Sequence, residues 1–379
     1  MSHPAHGDAF RSDTKCCTYF PQLPGYLVGA ILADFGPGMA EGKRRIRARI
    51  DSRVGVTPQW VTRPRKLGLV MQHGDGFGRA TSLRCPYFDT SNLEDSCTIW
   101  RHREAVCLTY HCKFEGGQRG FDFWSALKYY LGFVQQRLAS ASVHAVAGAL
   151  SEPVVRRDEL TLEDVEDMPP LALDYARWWG AWEGREAELY VRCHDWVLAL
   201  TPAAFLVLVD ATSEGRYLLG ALRAAHEKME HKLLPEHLVR SARLSPVNAG
   251  NDVIVAPYHR YDPVAIDRDL FDAAGAFRGE LTVAENLARH VRDGLSSAHV
   301  ELLFAAGVLV APDAAQPNRA HRSEDVSGRR IALLTILEAR NLNPDDELLE
   351  RIETAGAAML DDWIRRAAMA NAIEDVFAS

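Results

Sequence analysis

Six of the seven cysteines fall before residue 113. Cys16 and Cys17 are adjacent; Cys85, Cys97, Cys107 and Cys112 follow, separated by eleven, nine and four residues. The first residues, MSHPAHGDAFRSD, lack the basic segment and apolar core of a secretory signal. A reducing, cytoplasmic setting is therefore expected, in which clustered thiols bind metal more readily than they pair as disulfides. Four thiolates suffice for one [4Fe–4S] cluster or one tetrahedral zinc; six could hold a cluster with two thiols to spare, or two zincs through bridging thiolates. The wide spacings lack the paired C-x-x-C knuckles of a zinc ribbon, which favours iron–sulfur over zinc. Free buried thiols or disulfides are the plain alternative. Arg101, His102, Arg103 and Lys113 could offset a cluster's negative charge or donate to its sulfurs, or could simply be a solvated loop. His102 or His111 could replace one cysteine as a ligand.

Cys16-Cys17, Cys85-Pro86, Cys97-Thr98-Ile99-Trp100, Arg103 and Cys107 together carry a resemblance. The chain resembles the YkgJ-type cysteine-cluster proteins, whose pattern is C-x-x-C-x-x-C-C, then C-P-x-L, then C-x-I-Y-x-x-R-P-x-x-C-R-x-F. The resemblance spans about residues 10–125. It implies a zinc- or iron-chelating, iron–sulfur type of centre, with Arg103 beside the cofactor. Flagellin lysine methylases carry a related cysteine arrangement, which brings in methyl transfer from S-adenosylmethionine as an alternative. This chain departs from the pattern in three ways. Phe10 and Asp13 stand where the first two thiols belong, Glu104 replaces the proline after the arginine, and Cys112 is extra.

The elements that must position these residues give a mainly α, α+β chain. Expected are a cysteine-rich metal domain with a short hairpin over 1–145, a helical domain over 165–245, a winged-helix-like module over 250–312 and C-terminal helices over 325–379. Gly25–Phe35 reads as an apolar helix. The run KRRIRARIDSR (43–53) reads as a helix with a solvated basic face. LGLVMQ and the glycine turn 74–78 read as a hairpin leading into Cys85. Phe121–Leu138 has the spacing of a core helix, and the acidic stretch 150–170 reads as a linker. Leu171–Val239 reads as helical, with Trp178, Trp179 and Trp182 on one helix and Cys193 a lone buried thiol. His226 and Glu230 share a surface helix face without forming a di-iron motif. The apolar run Pro202–Val209 suits a buried segment.

Within 250–312, DVIVAPY reads as a strand and Asp262-Pro263 as a helix start. Thr282-Val-Ala-Glu285 reads as a capping box, Ser297 as a further cap, and Val308–Val310 as a strand. Phe277, Gly279, Thr282 and Leu303–Leu309 resemble the small PqqD-like winged-helix domains, which implies a protein- or peptide-docking module. Asn343 and Pro344 read as the start of a C-terminal helix.

A net charge of −8 disfavours polyanion binding, and SSAHVELLFAAG lacks a cation for phosphate contacts, so no nucleic-acid partner is expected. No apolar run approaches the length of a membrane span. Oligomeric state is not encoded in any of these patterns. Three functions follow from the residues: an iron–sulfur protein in electron transfer or in modification of a docked peptide, a methylase-like enzyme, or a zinc-stapled interaction protein without catalysis. No G-x-G-x-G strand–turn signature and no C-x-x-x-C-x-x-C triplet accompany the methylase reading.

Overall fold

The computed structural model describes residues 10–11, 13–73, 76–91, 96–111, 113–151, 166–230, 234–242, 244–259, 261–290, 294–312, 329–330, 332–334, 336–337, 340, 342–367, 370 and 372–377. Helices with several small antiparallel sheets make up the described chain, so it is helix-rich α+β. Contacts divide it into two units. Among the described residues, one unit lies within Ala5–Tyr110 and Leu131–Val209, the other within His111–Tyr130 and Asp210–Ser379.

The first unit is built around α1 (Gly25–Ala33). Its residues Val28, Ala30, Ile31 and Leu32 are buried, as the apolar run predicts. Next come α2 (Ala40–Ser52), α3 (Arg65–His73), α4 (Ala105–Thr109) and the long α5 (Gln118–Ala147), whose two halves fall in different units. α6 (Ala172–Trp179), α7 (Glu186–Leu198) and α8 (Pro202–Leu208) complete the helices of this unit. Strands β1 (Leu23–Pro24) and β2 (Trp60–Val61) pair antiparallel, as do β3 (Phe88–Asp89) and β4 (Ser96–Cys97).

α1 and α7 cross closely because α1 presents glycine at the contact. A Cβ on Gly29 would stand 1.9 Å from the Tyr190 carbonyl oxygen, and one on Gly25 would stand 2.9 Å from the Tyr190 ring. The Tyr190 hydroxyl in turn donates to the Thr57 carbonyl at 2.7 Å. Tyr190, Tyr175 and Trp179 are all fully buried.

The second unit contains α9 (Ser213–Glu230) and two three-stranded antiparallel sheets. One has the order β6 (Val247–Ala249), β7 (Asp252–Val255), β8 (Val264–Asp267). The other places β5 (His237–Arg240) between β9 (Arg278–Thr282) and β10 (Leu309–Val310). Between these strands run α10 (Arg268–Ala273), α11 (Val283–His290) and α12 (Ser297–Ala305). Leu238, Ile266, Phe277, Val300 and Leu303 share one buried core. The capping box forms as read: Thr282 N donates to Glu285 Oε2 at 2.8 Å, and Glu285 N to Thr282 Oγ1 at 3.2 Å. A separate core holds Leu333, Ile352, Leu360, Trp363 and Val376 around α13 (Asp346–Thr354), α14 (Ala357–Ala367) and α15 (Ile373–Phe377).

Several local expectations are corrected. LGLVMQ lies in α3, not in a hairpin, because Leu67, Val70 and Met71 have helical spacing; the hairpin pairing near the cysteines is β3–β4. Gly74 and Asp75 of the expected turn, and most of the acidic linker, lie outside the described residues. Val264–Asp267 is a strand paired along its length with β7, and α10 starts only after its cap Asp267. His237, Leu238 and Val239, read as helical, lie in the strand β5. α6 stops at Gly180, which takes a φ of 52°, so Trp182 is not on the helix of Trp178 and Trp179. Ser296 rather than Ser297 caps α12, and Asp345 rather than Asn343 caps α13. The apolar run in α8 is not buried: Val207 is 73% exposed.

Two glycines give opposite expectations. Gly29→Ala drives a methyl into the α7 backbone and is expected to destabilise by about 1–3 kcal/mol or more. Gly132→Ala, in α5 with nothing within 4 Å of a new Cβ, is expected to stabilise by about 0.5–1 kcal/mol. Urea unfolding of both variants checks the pair.

Candidate metal centre

Short loops of the first unit bring the thiols together. The turns over residues 13–19 are stitched to Gly78. Thr14 Oγ1 donates to the Gly78 carbonyl at 2.7 Å, and the Gly78 N–H donates to Thr18 Oγ1 at 2.6 Å. Cys16 and Cys17 lie between those two threonines. The Cys85 N–H donates to the Cys17 carbonyl at 2.8 Å, and the Phe88 N–H to the Cys85 carbonyl at 3.0 Å. Phe88 then faces Cys97 across the β3–β4 pair. Cys107 stands in the first turn of α4, capped by Glu104, whose carboxylate accepts from Val106 N at 2.7 Å and Cys107 N at 3.0 Å. Glu104 is 4% exposed. It occupies the position where the resembled pattern has proline, and it serves there as a cap.

Phe10 and Asp13, at the positions where the resembled pattern has its first two thiols, make structural contacts. Phe10 meets Phe77 edge-on at 5.8 Å, and Phe77 meets Tyr110 at 5.3 Å. Asp13 pairs with Arg84 at 3.0 Å, a partly exposed bridge of modest worth.

α2 holds the Cys85 loop from behind. Arg45 donates to the carbonyls of Pro86 at 2.7 Å and Phe88 at 2.8 Å, and meets Asp89 at 3.3 Å. One turn on, Arg49 donates to the carbonyls of Val54 and Thr62 and lies over the Phe20 ring. Two arginines of the expected solvated face are therefore anchors. Arg45 and Arg49 adjoin the buried Ile46 and Ile50 around the helix, a spacing that could have marked them. Gly42 lets α2 approach the segment after Cys97: a Cβ there would stand 2.3 Å from the Thr98 carbonyl oxygen.

The thiols act on one another electrically. Cys17 responds to Cys16, Cys85 and Cys97; Cys97 responds to Cys16; Cys107 responds to Cys85 and Cys97. Burial pushes Cys85 up to about 12 and raises Cys97. Burial also raises Cys107, reinforced by the Glu104 carboxylate. Cys17 is raised first by its hydrogen bond with Cys16. Cys16 moves the opposite way: the same bond favours its thiolate, and Arg103 and Lys15 add to that effect. Arg103 acts on Cys97 in the same sense.

Cys16, Cys17, Cys85, Cys97, Cys107 and Arg103 are thus brought into one neighbourhood, and all five thiols are free. They do not form a coordination shell: among the described residues, no three His, Cys, Asp or Glu side chains stand in the arrangement of a metal site. Cys112 lies outside the described residues. His102 turns to Asp34, with Nε2 at 2.8 Å from Oδ2, and Arg101 approaches the same carboxylate at 3.7 Å. His111, in the other unit, packs on Trp124 at 4.4 Å. Cys193 is fully buried in α7 beside Ser142, and burial pushes it up to about 11.

No family model matches the chain, and neither the curated proteins nor the solved structures contain a significant match.

Arg45→Ala removes two charge-assisted bonds to loop carbonyls and is expected to destabilise by about 2–4 kcal/mol in urea unfolding. In metal-free protein, iodoacetamide at pH 7 is expected to modify Cys16 first and Cys193 last, with the Cys16 rate falling as pH is lowered. Thiolate is the nucleophile, and among the described cysteines only Cys16 has its thiolate favoured; Cys193 comes last because it is fully buried. Mass spectrometry of timed digests reads the order.

Proposed function

We propose that the chain is a cytoplasmic thiolate metalloprotein with a [4Fe–4S] cluster. The ligands come from Cys16, Cys17, Cys85, Cys97 and Cys107, and its role is electron transfer or modification of a docked protein or peptide. The observation that carries this reading is the gathering of five free thiols, distant in sequence, around the backbone bond from Cys85 to Cys17 and the β3–β4 pair. The donor set fits: it is all sulfur, and His102 is engaged by Asp34. Such a cluster supplies one-electron redox chemistry and is held by four thiolates. Around it, Arg103 offsets charge at Cys16 and Cys97, and Glu104 fixes the backbone at Cys107. The resemblance to YkgJ-type proteins points the same way. The arrangement of β5, β9 and β10 with α10–α12 in the second unit suits the expected peptide-docking module.

Anaerobic purification tests the reading. A brown protein with stoichiometric iron and sulfide is expected; a colourless protein with stoichiometric zinc would overturn it. Cys107→Ala is expected to lower metal content sharply and Cys193→Ala to leave it unchanged. Binding must displace the protons that Cys17, Cys85, Cys97 and Cys107 hold, because their pKa values are raised. With Co²⁺ as a reversibly bound thiophilic probe ion, apparent affinity is therefore expected to rise by at least about tenfold from pH 7 to 8 in chelator competition.

A further inference from the structure

The apolar run that composition assigns to a core stands open to solvent. α7 and α8 meet at a bend of 109°, and eight of the ten residues from Leu198 to Val207 are exposed, which makes the tip one continuous surface. Leu198 is 71%, Leu206 52% and Val207 73% exposed. Between Asp195 and Asp210 no residue carries a charge. The hydroxyl of Thr201 is engaged within the segment, where it accepts from the Ala204 N–H at 3.2 Å. The N–H groups of Ala199, Leu200, Phe205 and Val209 bond to carbonyls between Asp195 and Phe205. The Leu208 carbonyl accepts from Arg137 Nε at 3.2 Å.

Clustered exposed aliphatic side chains mark an interaction site, and its occupant follows from composition, area and charge. Protein interfaces are anchored chiefly by Trp, Tyr and Arg, with Leu, Val and Thr under-represented; the exposed residues of the tip are Leu, Ala, Thr, Pro and Val. A second copy would need about 800 Å² on each partner, far more than three large aliphatic side chains present. A hydrocarbon layer demands instead that charge be absent and that backbone groups be bonded internally, and the tip is uncharged with its turn bonded as described. No single described helix is long and apolar enough to cross a bilayer, so the contact is with one face. The chain's net charge of −8 is repelled by anionic headgroups and not by neutral ones.

We propose that the Leu198–Val207 tip is a membrane-surface anchor that dips into the acyl boundary of an electrically neutral phospholipid bilayer. Segments that lie in the interface sit about 5–10 Å deep. The anchor does not depend on the thiol centre, and metal content does not bear on it.

Flotation of the full chain with phosphatidylcholine vesicles at millimolar lipid, in low and high salt, tests this. The chain is expected to float with the vesicles, and high salt is expected to leave the bound fraction undiminished, because apolar insertion is not screened. Leu206→Asp and Val207→Asp should each weaken partitioning by about tenfold or more, with unchanged melting temperature. Phe35→Asp, which removes an equally exposed apolar side chain elsewhere (93% exposed), should float like the parent. A parent chain that stays with the soluble fraction, binding lost in high salt, or aspartate variants that float like the parent would overturn the proposal. So would a parent dimer in sedimentation velocity that Val207→Asp dissociates, in favour of a second copy as the occupant.

Discussion

The guanidinium of Arg45 reaches from α2 to two carbonyls of the loop that follows Cys85. Backbone carbonyls in an irregular loop have no ladder to satisfy them, so a fixed cation with several donors serves in place of secondary structure. Because Phe88 is held, its pairing with Cys97 is held; because Cys85 is held, its bond to Cys17 fixes the first loop. The thiol neighbourhood thus depends on a helix that carries none of the thiols.

Collecting thiols in a half-buried place has an electrostatic consequence. Every one that ionises makes ionisation of its neighbours harder, and burial adds to the penalty. Among the described thiols the relief is greatest at Cys16, where Cys17 donates and Arg103 and Lys15 are nearby; Arg103 also eases Cys97, without outweighing burial. The remaining thiols stay protonated unless a strong positive charge arrives, the condition in which a thiophilic metal is the natural counterpart.

Much of this was legible in the sequence. The apolar run of α1, the long α5, the strand at Asp252–Val255 and the Thr282–Glu285 box are local patterns, and local patterns survive folding. Cys16, Cys17, Cys85, Cys97, Cys107 and Cys112 were grouped on residue type and spacing, the last of them outside the described residues. What was not legible depended on partners distant in sequence. Val264–Asp267 became a strand because β7 was there to pair with it. Arg45 left the solvated face because the loop after Cys85 needed donors. Phe10 and Asp13 meet their distant partners Phe77 and Arg84 only in the fold. Glu104 was the exception: an acid three residues before Cys107 at a helix start is a cap that could have been read directly.

The crossing of α1 and α7 also bears on the order in which the chain is made. A nascent chain emerges from its N-terminus, and domains consolidate as their parts appear. α1 and all five thiols precede α7, and Gly25 and Gly29 leave α1 a face that only Tyr190 and its neighbours fill. Between synthesis of Cys107 and arrival of Glu186–Leu198, the thiol loops hang on α2, whose neighbour α1 still lacks its cover. That interval is when the cysteines are most open, to a metal or to an oxidant.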